Sequence, residues 1–353
     1  MANTDDKPAL KITLEDLAKV NLPQAGPGSS SAAAAPGAAR QYGNISAAGE
    51  ETAVVDEGKS NVFLKGWFYL GAAGLMGALA GWGICEHAFV DGEGHSWGNF
   101  WIMPMVLALM CLGFGIAESV VERSFHKAIW RGLLALLVGA VFGFVFDFIA
   151  ELVYQITLGI CYQLGVRTHT NPAVWIARGI AWMVFGVAGG IVYGLVDRSG
   201  KKIRYGILGG IIGAGVGGMI FDPISFATKT GLLSRAVGFG LFGLATGVAM
   251  GIVESALKDR WLYVAAGPLA GKQFILYKPV TMIGSSQQCD VYLFKDSSIQ
   301  PQHASIELRG AQTFLNAQGQ VYVSGQPARR RALTSGDLVQ IGRYSFHFRE
   351  KQR

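Results

Sequence analysis

The sequence predicts a helical membrane domain of six transmembrane helices, built as three repeated hairpins, followed by a small all-β sandwich. Hydrophobic residues make up 51% of the 353 residues and charged residues only 15%, which is unlike an ordinary soluble chain. Six apolar windows of about 20 residues lie between Gly66 and Val253, and each is long enough for a helix that crosses a hydrocarbon core of about 30 Å. From Trp261 onward the chain is polar and contains short β-type runs.

The six windows are separated by charged turns. A core helix of a soluble protein can also be apolar on all sides, but six such windows in succession favour membrane spans. The predicted helices are Trp67–Cys85, Asn99–Ala117, Ile129–Phe146, Trp175–Val196, Tyr205–Phe221 and Ala236–Val253. No cleavable secretory signal is expected, because the first apolar run starts more than sixty residues into the sequence.

A threefold internal repeat organises the predicted membrane domain, residues 61–255. The first, third and fifth windows begin with a basic residue and a glycine, at Lys65-Gly66, Arg131-Gly132 and Arg204-Tyr205-Gly206. The second, fourth and sixth windows end with a glycine, two apolar residues and an acid, at Gly115–Glu118, Gly194–Asp197 and Gly251–Glu254. The repeating unit is therefore a helical hairpin.

Small residues recur at every fourth position of the odd-numbered windows. They are Ala73, Gly77 and Gly81, then Ala135, Gly139 and Gly143, then Gly210, Ala214 and Gly218. Residues four apart share one helix face, and small side chains there allow the close helix contacts that packing in lipid requires. Packing, within the bundle or against a second copy of the chain, is the favoured interpretation. The alternative is a narrow path for water, an ion or a small solute.

Acidic residues fall at the ends of the predicted helices. The inner edge carries Glu118, Asp197 and Glu254, close to Arg123, Arg198 and Lys258, and the outer edge carries Asp147, Glu151 and Asp222. The favoured interpretation is that these acids form ion pairs at the membrane interface, and the alternative is that Asp147 and Asp222 form a ring at the outer mouth of a path. The apolar run Phe148–Leu164 is predicted either to continue the third helix or to lie in the interface.

The distribution of Lys and Arg predicts the orientation, because cytoplasmic flanks retain positive charge. The flanks assigned to the inside carry Lys59, Lys65, Arg123, Lys127, Arg131, Arg198, Lys201, Lys202, Arg204, Lys258 and Arg260, and the outer flanks carry only Arg167, Arg178, Lys229 and Arg235. Both termini are therefore expected in the cytoplasm, at a bacterial inner membrane.

The four cysteines, Cys85, Cys111, Cys161 and Cys289, fit no metal-ligand spacing. They are expected to act as small apolar side chains, with a Cys85–Cys161 disulfide as the less favoured alternative. No metal ion or other cofactor is expected.

Residues 1–60 are predicted to form a disordered cytoplasmic arm. Ala, Gly, Ser and Pro dominate Pro23–Ala39, and this composition buries too little apolar surface to fold alone. Residues 13–21 are a candidate short helix, because Thr13 and Asp16 can form a capping pair. This helix is interpreted either as a docking peptide for a partner or as a transient structure without a role.

The C-terminal part, residues 262–353, contains strand-like runs at short spacing, which predict a small sandwich or barrel. Five motifs follow one another there: Ile283-Gly284, Cys289–Val291, Gln302–Ile306, Val323–Pro327 and Leu333–Gly342. In order and spacing these motifs resemble the landmarks of forkhead-associated (FHA) domains. The resemblance covers Leu262 to Arg349 and implies a β-sandwich that reads phosphothreonine through the loops between its strands.

The positions that bind the phosphopeptide in FHA domains differ in this sequence. The resemblance places Ser285 where the phosphate-binding arginine stands, Gln300 in place of a phosphate-binding serine, Pro301 beside it, and Gln318 and Gly319 near a usual threonine and asparagine. Charged donors give a phosphate about 1.5–3 kcal/mol per hydrogen bond, so standard phosphothreonine recognition is expected to be lost. The scaffold positions Gly284, His303, Gly325, Gly336 and Asp337 are retained.

Three consecutive arginines, Arg329, Arg330 and Arg331, are expected in one turn beside the recognition edge. The favoured interpretation is a solvated basic turn. A second is contact with anionic lipid, to which each base contributes about 1 kcal/mol, and a third is that the arginines compensate for the lost phosphate ligands.

No catalytic constellation is present in the sequence, so an enzyme is not expected. The bases flank helices and form no stripe among aromatic residues, which argues against binding nucleic acid. The favoured function is a membrane-anchored interaction or scaffold protein that recruits cytoplasmic partners, phosphorylated or not, through the FHA-like domain. The alternatives are a channel or transporter regulated by that domain, and a structural membrane component. The resemblance also implies partners linked to serine/threonine kinases.

Overall fold

The computed structural model describes residues 61–91, 96–168, 170–228 and 230–351. The predicted arm, residues 1–60, with its candidate helix at 13–21, lies outside the described residues. A short 3₁₀ turn, Val62–Leu64, precedes the first long helix.

Six long helices form the membrane domain and are apolar enough and long enough to cross a membrane. Polar side chains fix several of their starts: Ser96 Oγ accepts the N–H of Asn99, and Ser199 Oγ accepts that of Lys202. The helices are α1 (Gly66–Glu86), α2 (Trp97–Val121), α3 (Phe125–Gln163), α4 (Pro172–Val196), α5 (Gly200–Ala227) and α6 (Gly231–Leu257).

The six helices form a closed ring. Each helix packs against the next along the chain, and α6 packs against α1. The helices α2, α4 and α6 also come together, because α2 contacts both of the others. The even-numbered helices therefore lie nearer the bundle axis than the odd-numbered ones. The predicted fold class, a six-helix membrane bundle followed by a β-sandwich, is confirmed.

Glycines lie where neighbouring helix backbones touch. A Cβ added at Gly74 in α1 would overlap the carbonyl oxygen of Gly243 in α6, and a Cβ at Gly186 in α4 would overlap that of Gly210 in α5. The small-residue faces are thus used between helices of the same chain. A second copy of the chain that packed through the small-residue faces would need faces that already contact other helices within the bundle.

All six helices extend beyond their predicted windows, and in two of them the extension changes the position of an acid. The helix α3 continues without interruption to Gln163, so Phe148–Leu164 is a continuation of that helix. The helix α5 continues through Pro223 to Ala227. Asp147 and Asp222 therefore lie within helices and not at helix ends, because an acid or a proline near one end of an apolar run does not by itself terminate a helix.

The β domain is a sandwich of two sheets. The strand order is β2-β1-β11-β10-β7-β8 in one sheet and β4-β3-β5-β6-β9 in the other, and only the β3–β4 pair is parallel. The strands are β1 (Arg260–Ala266), β2 (Gln273–Ile275), β3 (Val280–Gly284), β4 (Val291–Tyr292), β5 (Ala304–Arg309), β6 (Gln312–Ala317), β7 (Val321–Val323), β8 (Gln326–Pro327), β9 (Arg330–Leu333), β10 (Leu338–Ile341) and β11 (Tyr344–Glu350).

Alternating inward side chains form the core of the sandwich, as on β11, where Tyr344, Phe346 and Phe348 are fully buried. Only Lys258 and Asp259 separate α6 from β1. The four cysteines are all buried and unpaired, so the Cys85–Cys161 disulfide does not form. Within the described ranges, no group of three or more His, Cys, Asp or Glu residues could hold a metal ion.

Candidate functional site

Three acids that close the even-numbered helices meet at the end of the bundle that contacts the β domain. Lys202, which is 1% exposed, places its Nζ 2.8 Å from Glu118 Oε2 and also pairs with Asp197. Arg131 Nη2 lies 2.8 Å from Asp197 Oδ1. The third acid, Glu254, accepts a hydrogen bond from the hydroxyl of Tyr193, at 3.1 Å from Oε2.

The predicted partners of these acids were wrong. Arg123 and Arg198 follow the ends of α2 and α4 with positive φ angles of 56° and 52°, and Lys258 binds Gln273. The reason is the ring: it brings the acids of α2, α4 and α6 together on the axis. Arg131 of α3 and Lys202 of α5 project into this space and pair with Glu118 and Asp197, in place of the arginines that follow α2 and α4.

The β domain covers this cluster with a tyrosine. Tyr277, which follows β2, donates a hydrogen bond from its hydroxyl group to Glu254 Oε1. Burial first, and then the negative charge of Glu254, raise the pKa of Tyr277 well above its ordinary value. The phenol therefore stays protonated and serves as a donor.

A second ion pair joins the two domains at the turn between α2 and α3. Lys272 Nζ in the β domain lies 2.8 Å from Glu122 Oε1, and both side chains are only 2% exposed. Lys127 Nζ lies 3.7 Å from the other oxygen of Glu122 and donates to the backbone carbonyls of Cys289 and Asp290. We call the charged and phenolic groups at this contact the junction: Glu118, Glu122, Lys127, Arg131, Asp197, Lys202, Glu254, Lys272 and Tyr277.

His303 ties together the loops that correspond to the FHA recognition site. The backbone N–H of Gln300 donates to His303 Nδ1 at 3.0 Å, so Nε2 carries the ring proton and donates to the carbonyl of Gln320 at 2.9 Å. The backbone N–H groups of Gln318 and Gly319 donate to the His303 carbonyl. A Cβ at Gly319 would lie 2.6 Å from Nδ1. His303 thus holds the β4–β5 loop against the β6–β7 loop.

The loop after β3 is fastened to the same place. Ser285 Oγ donates to the carbonyl of Ile299 at 2.8 Å, and its N–H donates to that of Gln300 at 3.0 Å. A Cβ at Gly284 would lie 2.8 Å from the carbonyl carbon of Pro301. The Ser285 hydroxyl, at the position of the phosphate-binding arginine, therefore forms a hydrogen bond between two loops.

Six glutamines occupy these three joined loops, a feature that position-by-position reading of the sequence missed. They are Gln287, Gln288, Gln300, Gln302, Gln318 and Gln320, and all except the partly exposed Gln287 are exposed. We call this set the amide face. Each amide offers a neutral acceptor and two donors. The available signal was the recurrence of one residue type at the replaced positions.

The other retained landmarks, Gly325, Gly336 and Asp337, lie in the turns after β7 and before β10. Asp337 accepts hydrogen bonds from the N–H and hydroxyl of Thr334 and from the Ser324 hydroxyl, at 2.8, 3.0 and 3.1 Å. Gly325 and Gly336 have φ angles of +81° and +104°, which favour glycine.

The three arginines do not lie in one turn, as the sequence had suggested. Arg329 is exposed and precedes β9, whereas Arg330 and Arg331 are part of that edge strand. Arg331 donates to the Val323 carbonyl at 3.0 Å, and Arg330 lies over the ring of Phe314. Because side chains alternate along a strand, the guanidinium groups do not form one cluster.

The two acids predicted at an outer mouth lie at the end of the bundle away from the β domain. Asp222 is 8% exposed and accepts a hydrogen bond from Arg178 Nε at 2.9 Å. Asp147 lines a cavity of about 640 Å³, as does Arg178. The structure therefore brings these acids to one region, where Asp222 pairs with Arg178 and Asp147 has no arginine partner among the residues that the structure describes.

Asp296, in the β4–β5 loop, is expected to make the stability of the β domain depend on acid pH. Burial raises the pKa of this carboxyl, but hydrogen bonds from the Ser298 hydroxyl and from the N–H groups of Arg343 and Ser298 outweigh that effect and lower it. A lowered folded-state pKa gives stability that is present above the unfolded-state pKa and is lost as pH falls through the folded-state pKa. In Asp296→Asn, thermal unfolding followed from pH 6 to pH 3 should show a weaker loss of stability than in the parent protein. An unchanged pH profile would contradict this role of Asp296.

The β domain is similar to known proteins. Residues 263–352 match the family described as "Inner membrane component of T3SS, cytoplasmic domain". The glycogen accumulation regulator GarA of Mycolicibacterium smegmatis is 31% identical over 112 residues, which are 31% of this chain and 63% of the relative. An oxoglutarate dehydrogenase inhibitor of Corynebacterium efficiens is 30% identical over 123 residues, which are 34% of this chain and 83% of the relative.

Solved FHA domains also align with this part of the chain. The FHA domain of the CT664 protein from Chlamydia trachomatis is 25% identical and is covered completely by 27% of this chain, with a TM-score of 0.25. The six apolar helices and the inner-membrane family together indicate an inner membrane protein with a role in interaction or scaffolding. Through its C-terminal domain, the chain belongs to the forkhead-associated family.

Proposed function

We propose that this protein recruits a cytoplasmic partner protein to the inner membrane through the amide face of its FHA domain, without a requirement for phosphothreonine. The excess of basic residues on the flanks nearest the β domain supports a cytoplasmic position for that domain. The proposal assigns the chain binding and no catalytic step.

The observation that carries the proposal is the combination of retained loop geometry with replaced side chains. His303 and Ser285 hold the three loops together by hydrogen bonds of 2.8 to 3.0 Å. The side chains that these loops present include the six neutral amides of the amide face, while the Ser285 hydroxyl is engaged by the Ile299 carbonyl. A phosphate would need charged donors there, whereas amides pair well with the backbone and neutral side chains of a peptide.

The name of the matched family supports the inner membrane as the location and assembly with other proteins as the role. The members of that family are described as an inner membrane component of T3SS. The solved structures include one described as an analysis of phosphothreonine-dependent FHA domain interactions. We propose that this chain keeps the protein-binding role of such domains and replaces its chemistry.

The test is a peptide-library measurement on the whole chain in lipid nanodiscs. Each peptide is offered with threonine and with phosphothreonine at the same position. We expect binders whose affinity changes less than about twofold on phosphorylation, because an arginine–phosphate contact worth about 1.5–3 kcal/mol is missing. The double variant Gln300→Ala with Gln318→Ala should weaken these binders at least tenfold.

The matched control is Gln326→Ala, an exposed glutamine in β8 outside the amide face, which should leave the affinity unchanged. Binding that requires phosphate would overturn the proposal. So would peptide binding that the Gln300 and Gln318 variants leave intact.

A further inference from the structure

The internal repeat places an arginine at matching positions of two even-numbered helices. Arg178 and Arg235 each stand nineteen residues before the acid that closes their repeat, Asp197 and Glu254. The corresponding residue of α2, nineteen before Glu118, is Asn99. The repeat therefore predicts three equivalent sites, of which one lacks its arginine.

Both arginines bind an acid on the odd-numbered helix of the following hairpin. Arg178 of α4 binds Asp222 of α5 at 2.9 Å. Arg235 of α6 binds both oxygens of Glu86 of α1, at 2.6 and 3.0 Å, and also Asp91 at 2.6 Å. The ring of helices thus repeats one contact around its axis.

At the third site the acid is present and the arginine is not. The equivalent acid is Asp147 of α3, and within the described residues it has no ion-pair partner. Asn99 instead serves the start of α2: its Oδ1 accepts from Ser96 and from the N–H of Val90, and its Nδ2 donates to the Val90 carbonyl. Glu151, one turn along α3 from Asp147, accepts a hydrogen bond from the Gln155 amide and has no other side-chain partner among the described residues.

The unpaired acid faces a cavity with room for a small molecule. The cavity has a volume of about 640 Å³, within the range of ordinary ligand sites. Asp147, Glu151 and Tyr154 line it from α3, and Trp182, Phe221 and Phe239 line it from α4, α5 and α6. Ser234 also lines the cavity, is 6% exposed, and makes no side-chain hydrogen bond to any described residue. Both arginines in the lining, Arg178 and Arg235, are already neutralised by acids.

We propose that this cavity binds a small organic cation with an apolar body, such as an aryl-alkyl ammonium ion. The ammonium takes the place of the missing third arginine and pairs with Asp147. The apolar body lies against Trp182 and the neighbouring aromatic rings. The faces of these rings also attract the positive charge of the ammonium group. Ser234 supplies a further polar contact inside the cavity. An anion is disfavoured, because the carboxylates of the cavity outnumber the guanidinium groups.

The experiment uses the whole chain in zwitterionic nanodiscs and three probes that share one aryl body: 2-phenylethylammonium, 2-phenylethanol and 3-phenylpropionate. Calorimetric titration, corrected with empty nanodiscs, should show the cation binding at least tenfold more tightly than the alcohol, and no binding of the carboxylate. Asp147→Asn should weaken the cation at least tenfold and leave the alcohol unchanged. Asp259→Asn, at the opposite end of the bundle, should change neither.

A second variant rebuilds the repeat. Asn99→Arg should restore the third arginine–acid pair and exclude the cation, and thermal unfolding checks that each variant is folded. Equal binding of cation and alcohol, or cation binding unaffected by Asp147→Asn, would overturn the proposal.

Lys229 lies outside the described residues, between Thr228 and Thr230, which line the cavity. Cation binding that appears only in Lys229→Ala would show that the chain supplies its own cation, and would also overturn it.

Discussion

Replacing Glu122 by Gln is expected to lower the stability of the contact between the two domains by about 3–5 kcal/mol. The Lys272–Glu122 pair is 2.8 Å long and both side chains are 2% exposed. Removing the carboxylate leaves the Lys272 ammonium buried without a counter-charge, and it also deprives Lys127 of a partner at 3.7 Å. Thermal unfolding in detergent should show a lower midpoint, and trypsin should cut at Lys258 much faster.

An exposed pair provides the matched control. Lys201 and Asp259 lie 3.2 Å apart with side chains 48% and 41% exposed, so Asp259→Asn should cost at most about 1 kcal/mol. Adding Lys272→Met to Glu122→Gln removes the buried charge and should recover part of the stability. If Glu122→Gln and Asp259→Asn had equal effects, the junction would not be what holds the domains together.

Replacing Gly74 by Ala is expected to destabilise the membrane domain by about 1–3 kcal/mol, the usual range for overpacking a tight interior. A Cβ there would overlap the Gly243 carbonyl oxygen and lie 2.9 Å from its carbon. Both atoms belong to the backbone of α6, so relief requires α1 and α6 to separate. That separation opens the ring at the contact between the last and first hairpins.

Gly83 in the same helix supplies the control, because no atom of the described residues outside its own stretch of helix backbone lies within 4 Å of a Cβ added there. Gly83→Ala should be neutral or slightly stabilising, since alanine favours a helix more than glycine does. The measurement is thermal unfolding of the two variants in the same detergent. Equal midpoints would contradict the view that close glycine contacts hold α1 against α6.

The existence of the six helices could be predicted from the sequence, because the length and polarity of a membrane helix are imposed by the bilayer. The end of α3 could not. Asp147 interrupts the apolar pattern, but a helix ends only where its backbone hydrogen bonds find other partners, and α3 continues for another sixteen residues to Gln163. The partners of Glu118 were missed for a similar reason, since they depend on which helices meet at the axis.

The β domain shows the same limits. Its landmark residues identified the family, and most strands followed from the alternation of side chains. The strand-like runs of the sequence corresponded to seven of the strands. They missed β1, β6, β8 and β9, of which β6 (Gln312–Ala317) and β9 (Arg330–Leu333) are polar in part. The amide face was also missed: loops far apart in sequence become one surface only through bonds such as those of His303.

The two-residue connection between α6 and β1 governs the geometry of any captured cargo. The C-terminal strand returns to this connection, where the N–H of Lys351 donates to the Asp259 carbonyl at 2.8 Å. The β domain is therefore held in one orientation relative to the membrane domain and is not tethered by a flexible linker. A cargo held by it gives up tumbling as well as diffusion away from the bilayer. Neighbouring copies would then present their cargoes with one common tilt, so encounters between cargoes become a search in two dimensions among molecules that already share an orientation.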